Sequence, residues 1–190
     1  MIDAKSTLED VCFDVSTALG SNGINGVLTG GSAAAVYAPQ AYMSNDADFV
    51  LDPDEPLQQI AVALEPTGFV RHGRSRIFVH PDTIYTIDFP RGPLAVGRDY
   101  IRDTHVLKRG QRQLRILTRF DCVRDRLSHF YYWKDFTALN AAVAVAAENP
   151  REVDLDRLRS WTEREGAALL EGFDVFKRRL QLALESKKAL

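Results

Sequence analysis

The sequence is short of the residues that build cross-linked, zinc-clustered or membrane-borne proteins. Its 190 residues include only 2 cysteines, 2 tryptophans and 4 histidines. Cys12 and Cys122 are far apart, and neither they nor His72, His80, His105 and His129 fall into a metal-ligand spacing. A disulfide framework and a zinc site of the usual kind are thereby excluded. No apolar run approaches the roughly 20 residues of a membrane-spanning helix. The opening "MIDAKSTLEDVCFDV" lacks the basic start and apolar core of a secretory leader, so the cytoplasm is the expected compartment. There is no internal repeat and no low-complexity stretch. Hydrophobic residues make up 45% and charged residues 26%, ordinary values for a globular chain, and nothing argues for disorder.

Charge of one sign is also missing locally. Residues 1–70 hold ten Asp/Glu and a single base, Lys5, a net −9. Residues 71–126 hold thirteen Arg/Lys and six Asp, a net +7, and residues 127–190 balance. Two readings follow. Metal-binding carboxylates on one wall of a site can face phosphate-binding cations on the other. Alternatively, the two regions neutralise each other across the fold.

The apolar pattern changes character near residue 117. Residues 5–19 carry Leu8, Val11, Cys12, Val15 and Leu19 at helical spacing, with Ser6 or Thr7 as the cap. "VLT" reads as a short buried strand, "GGSAAAVYA" as a tight turn leading into a helix, and "ADFVLD" as a strand. In that strand Asp46, Asp48 and Val50 alternate with Ala47, Phe49 and Leu51. "PLQQIAVALEPTG" is a short helix with Pro at its start and Gly after its end. "FVRHG", "RIFVH" and "YTIDFP" read as three strands, and "HVLKRG" with "QLRILT" as a pair across Gly110. From Thr118 onward every segment is helical. The expected fold class is α+β: an α/β domain with a mixed sheet and flanking helices over residues 1–117, then an α-helical domain over 118–190.

Chemistry concentrates in "LTGGSAAAVYAPQAYMSNDADFVL". Gly30, Gly31 and Ser32 stand where a strand turns into a helix. Glycine lets backbone N–H groups approach a ligand, and a helix N-terminus favours anions. Asp46 and Asp48 share one strand face, where like charges repel and are costly to desolvate unless something positive joins them. Mg²⁺, which takes carboxylates, water and substrate phosphates, suits such a pair. Asp88, in "YTIDFP", either caps a strand end, pairs with Arg91, or joins Asp46 and Asp48 if its strand lies beside theirs. Three carboxylates on two metals serve phosphoryl and nucleotidyl transfer.

Gly30-Gly31-Ser32, then Ser44-x-Asp46-x-Asp48, then a distant strand Asp88, is similar to the signature of the polymerase-β-type nucleotidyltransferase superfamily. More narrowly, the stretch resembles the AbiEii-like group, the toxin component of type IV toxin–antitoxin systems. The superfamily likeness covers roughly residues 24–90. It implies a nucleotidyltransferase-like sheet domain and transfer of a nucleoside monophosphate from NTP to an acceptor hydroxyl, with Mg²⁺ (one or two ions) as cofactor. Gly31 and Ser32, with Gly30 and Ser44 beside them, would hold the nucleotide. Asp46, Asp48 and Asp88 would bind metal and carry catalysis, with Asp88 the base for the acceptor hydroxyl. The group also carries a lysine in the first helix of its helical half and an aspartate further on. Arg126 and Asp135 stand nearest, and Lys134 beside Asp135 is a second candidate for the lysine. A guanidinium forks where an ammonium is a point charge, and Arg126 can instead pair with Asp121 or Asp125. The resemblance further implies RNA, for instance a tRNA end, as acceptor, and an antitoxin protein as partner. A catalytically silent nucleotide- or partner-binding relative, and an enzyme acting on a small antibiotic-type molecule, are the alternatives.

Two further clusters stand out. Arg71, Arg74 and Arg76 surround a glycine turn and suit either a phosphate or acceptor contact or a solvated hairpin tip. "HFYYW" sets Phe130, Tyr131, Tyr132 and Trp133 in a row. Stacking of a base is one use. Packing of two in the helical core, with one over the seam between the halves, is the other.

Overall fold

The computed structural model describes residues 2–51 and 53–188. Helix α1 (Leu8–Ser21) begins at Thr7, whose hydroxyl accepts from the Asp10 N–H while the Asp10 carboxylate returns the bond to the Thr7 N–H. This reciprocal cap satisfies two otherwise orphaned donors. Strand β1 (Gly26–Thr29) is buried along its whole length. It turns directly into α2 (Gly30–Tyr37), whose Ala33, Ala34 and Ala35 are buried. Strand β2 (Asp46–Leu51) shows the alternation expected from its sequence: Ala47, Phe49 and Leu51 face the core, and Asp46, Asp48 and Val50 do not. Asp52, expected to end that strand, lies outside the described residues.

After α3 (Leu57–Leu64) come three short strands, β3 (Val70–Arg71), β4 (Ile77–Val79) and β5 (Thr86–Asp88). A small separate hairpin, β6 (Ala95–Val96) with β7 (Asp99–Tyr100), follows in a stretch without a readable apolar period. Strands β8 (Thr104–Arg109) and β9 (Arg112–Leu117) pair across Gly110. Seven strands form one sheet in the order β3-β4-β5-β2-β1-β9-β8. β2–β5 and β1–β9 are parallel and the other neighbours antiparallel. The sheet is therefore mixed, as expected.

Four helices complete the chain: α4 (Arg119–Trp133), α5 (Phe136–Glu148), α6 (Leu155–Glu165) and α7 (Leu170–Lys188). Thr118, Asp135 and Asp154 cap the first three. α2 packs against β1 and β2 and, beyond them, against α4 and α5. Its run of small residues permits close approach from both directions. The change from strand to helix falls at Leu117, yet buried residues on either side of it, Phe49 and Leu127 among them, belong to one hydrophobic cluster. Among the described residues, no helix is long and apolar enough to cross a membrane.

Candidate active site

The acidic residues are gathered by strand register. β2 and β5 run parallel, with Asp46 opposite Thr86 and Asp48 opposite Asp88. Side chains alternate between sheet faces, and in-register neighbours share one. Asp46, Asp48 and Asp88 therefore lie on the same face, while Ala47, Phe49 and Ile87 bury the other. Asp88 stands at the end of its strand, and that strand adjoins β2 directly.

The turn beside them depends on glycine. β1 delivers Thr29 opposite Asp48, and Gly30 then takes a left-handed φ of 66°. A Cβ at Gly30 would strike the Asp48 carboxylate. Only a residue without a side chain satisfies both conditions. A Cβ at Gly31 would lie 3.0 Å from the Tyr42 hydroxyl. Thr29 provides no side-chain cap for α2, so its hydroxyl leaves the first-turn N–H groups unsatisfied. Ser32 is fully buried. Its hydroxyl donates to the Thr29 carbonyl (2.8 Å) and accepts the Asp48 N–H (3.2 Å). Ser32 thus ties α2 to β2, and its proton is already committed, which corrects its expected part as an open phosphate donor.

Thr29, Gly30, Gly31, Asp46 and Asp48 form one side of a cleft of about 410 Å³, with Pro90 beside them; Asp88, on the neighbouring strand, is not among the residues that line it. Tyr42 and Ser44, from the loop before β2, form a second side. Asp125, Arg126 and His129 of α4 close the third. The Ser44 hydroxyl donates to an Asp46 carboxylate oxygen at 2.9 Å. Arg126 is buried, and its Nε and Nη2 both donate to Asp125 Oδ2, at 3.0 and 2.8 Å. The intrahelical pair and the cleft position thus hold together. Burial raises the Asp48 pKa to about 6, the neighbouring charges of Asp46 and Asp88 push it the same way, and Arg126 opposes them. No hydrogen bond or ion pair reaches the side chains of Asp48 or Asp88 among the described residues. Burial, then the positive charge of Arg126, holds the His129 pKa below its usual value.

Other expected residues lie elsewhere. Asp135 caps α5 by accepting the Thr137 and Ala138 N–H groups at 2.8 and 3.1 Å. Lys134 is exposed at the end of α4, with a left-handed φ of 56°. Neither lines the cleft. The Arg71, Arg74 and Arg76 cluster is likewise outside it. Arg71 closes its own turn on the Ser75 and Arg74 carbonyls. Arg76 donates to the Phe89 carbonyl and pairs with Asp54 at 2.6 Å. Much of the basic middle is spent in the same way: Arg109 on Glu9 and Asp10, Arg112 on Asp14, Arg119 on Glu152, and Arg124 on Asp99 and Asp121. Arg76, Arg109 and Arg112 thus neutralise acids of the first third, whereas Arg119 and Arg124 pair with acids outside it.

Tyr42, Asp125 and His129 were not anticipated as cleft residues. Asp125 and His129 carried a readable signal, since residues four apart share a helix face. Tyr42 carried none, because a loop folding back on α2 places it.

Among the described residues, no three His, Cys, Asp or Glu side chains already stand at metal-ligand spacing. The donor set nevertheless suits a hard divalent cation. It is all oxygen, it lies on one face, and among the described residues no ion pair reaches its central carboxylate. Comparison with protein-family models, curated proteins and solved structures finds no match to the chain.

Proposed function

We propose that the protein is a metal-dependent nucleotidyltransferase that moves a nucleoside monophosphate from NTP to an acceptor hydroxyl. The observation that carries this reading is the in-register placement of Asp48 and Asp88, with Asp46 on the same face, beside the uncapped N-terminus of α2. The triphosphate lies against the Gly30–Gly31 turn, where backbone N–H groups and the helix dipole receive negative charge. Arg126, held by Asp125, supplies a further cation. Asp46 and Asp48, with Asp88, would hold Mg²⁺, which would neutralise the triphosphate and acidify the acceptor hydroxyl. Asp88 takes the acceptor's proton. The acceptor oxygen forms its bond to the α-phosphorus, and the bond to pyrophosphate breaks. Ser44 orients Asp46. Such a reaction belongs in the cytoplasm, where NTP and Mg²⁺ are supplied.

The likeness to AbiEii-type toxins favours RNA as acceptor, with an antitoxin as restraining partner. One observation favours a small-molecule acceptor instead. A groove of about 370 Å³ adjoins the cleft, sharing Tyr42 and Ser44 with it. Val36, Met43, Ile84 and Tyr85 line it, and its one charged residue is Glu9. Such a lining suits a neutral or cationic body better than a phosphate backbone.

The test is incubation with each α-³²P-labelled NTP, Mg²⁺ and total cellular RNA, beside the Asp46→Ala/Asp48→Ala variant. Label in RNA that requires both aspartates supports the toxin-like reading. Label that appears only when hydroxylated small molecules are added supports the second. NTP binding without any transfer identifies a silent relative, and absence of NTP binding ends the proposal.

A further inference from the structure

α4 carries one stripe of residues from the cleft to its rim. Asp125, His129 and Trp133 are each four apart and so share a helix face, each about 6 Å beyond the last. Asp125 and His129 line the cleft. Trp133 packs on the His129 ring, with centroids 4.9 Å apart. Of the four consecutive aromatics, Phe130 and Tyr131 are buried in the core, as packing expects. Tyr132 is fastened by its hydroxyl to Glu165 at 3.0 Å and meets the Trp133 ring edge-on. Trp133 itself remains 69% exposed. A large aromatic ring braced on two sides by other rings, yet left in water, gains little for stability. Asp135, two residues further on, contributes to the electrostatic environment of both Tyr42 and His129. This corner of the molecule is therefore adjacent to the cleft.

We infer that Trp133, backed by His129 and Tyr132, is the platform on which the nucleobase of the incoming NTP stacks. The inference rests on the nucleotidyltransferase reading of the cleft. It divides the nucleotide in two. The triphosphate engages the Gly30–Gly31 turn and Arg126, and the base lies outward along α4 on the indole. Every base offers a π-face, so stacking supplies affinity with little discrimination among the four.

The experiment measures binding of Mg²⁺–NTP and Mg²⁺–tripolyphosphate to the full chain without acceptor, in wild type, Trp133→Ala and Trp133→Phe. Omitting the acceptor ensures that any base effect belongs to the NTP. Stacking is worth enough that Trp133→Ala is expected to weaken NTP roughly tenfold or more. Tripolyphosphate affinity should stay unchanged, and Trp133→Phe should recover most of the loss. Because the residue is exposed, the variants are expected to melt as wild type does, and a thermal scan checks this. Equal NTP affinity in wild type and Trp133→Ala overturns the platform. So does a parallel loss of tripolyphosphate binding, which would mean a disturbed cleft. A wild-type protein that binds neither compound overturns the nucleotidyltransferase reading itself, and the platform with it.

Discussion

Two sets of three acids on this molecule are treated in opposite ways. Glu9, Asp10 and Asp14 on α1 face Arg109 and Arg112 on the β8–β9 hairpin, in contacts of 2.6 to 3.0 Å. Asp46, Asp48 and Asp88 share one sheet face, and among the described residues no cation pairs with Asp48 or Asp88. The first set neutralises its charge at the surface, where such pairs contribute about 0 to 1 kcal/mol each. In the second, Asp48 and Asp88 are half-buried without an ion pair among the described residues, while Asp46 is exposed and Arg126 offsets only part of the charge around Asp48. Folding alone gives no reason for that, since an unpaired buried carboxylate destabilises the chain that carries it. The contrast separates acids that ion pairs tie into the fold from acids that the proposed function assigns to a metal ion.

The strongest way to break this contrast is to neutralise one member of each set. Asp48→Asn should reduce nucleotidyl transfer by more than the roughly 10- to 100-fold that changes behind a metal ligand cause, while Asp14→Asn leaves it within about twofold. Steady-state transfer rates of the two variants decide the matter. Equal losses would remove the special standing of the cleft.

Stability should run the other way. The Asp48 carboxyl has a pKa of about 6 in the folded protein against 3.8 for the free group. The folded state thus binds the proton more tightly, and stability falls as pH rises from about 4 through 6. Above that window the ionised group costs about 3 kcal/mol. Metal-free Asp48→Asn should therefore unfold at higher denaturant concentration than wild type at pH 8, with the advantage disappearing near pH 4. Mg²⁺ should raise the wild-type melting temperature at pH 8 and leave that of Asp48→Asn unchanged.

A third contrast sharpens the picture with backbone. Gly30 and Gly110 both have a left-handed φ, 66° and 61°. A Cβ at Gly110 meets nothing within 4 Å, whereas one at Gly30 meets the Asp48 carboxylate. Gly110→Ala should cost about 1 to 2 kcal/mol, the left-handed penalty alone. Gly30→Ala should cost more than that and also lower transfer, as read by urea unfolding beside activity. The smallest effect is expected in the surface ladder. Arg112→Ala should shift stability by no more than about 1 kcal/mol, and most of that shift should vanish in high salt.

Much of this was legible along the chain, for a reason particular elements make clear. The alternation in "DADFVL" exposed both the strand and its acid face, because period two is a local property. The cap at Thr7 was readable as a helix start for the same reason. Asp135 caps α5 away from the cleft, which its place in the sequence does not reveal, because capping and ligand binding draw on the same side-chain oxygens. Ser32 is a similar case: a serine after two glycines advertises a donor, and only the closeness of α2 to β2 shows that its hydroxyl is already used. Trp133 and Tyr132 could not be told from Phe130 and Tyr131 in the sequence, since a run of aromatics does not say which face of its helix lies in the core.

The sequence by itself determined the α+β division at Leu117, the in-and-out pattern of β2, and the need for glycine where β1 turns into α2. These rest on interactions between residues near one another in the chain. The tertiary structure decided which carboxylates meet, which arginines are neutralised, and what closes the cleft. The pairing of β2 with β5 joins Asp48 to Asp88 across forty residues, and the packing of α4 on α2 brings Arg126 and His129 over the acids. Such choices depend on which surfaces bury one another best across the whole chain, and no local pattern records them.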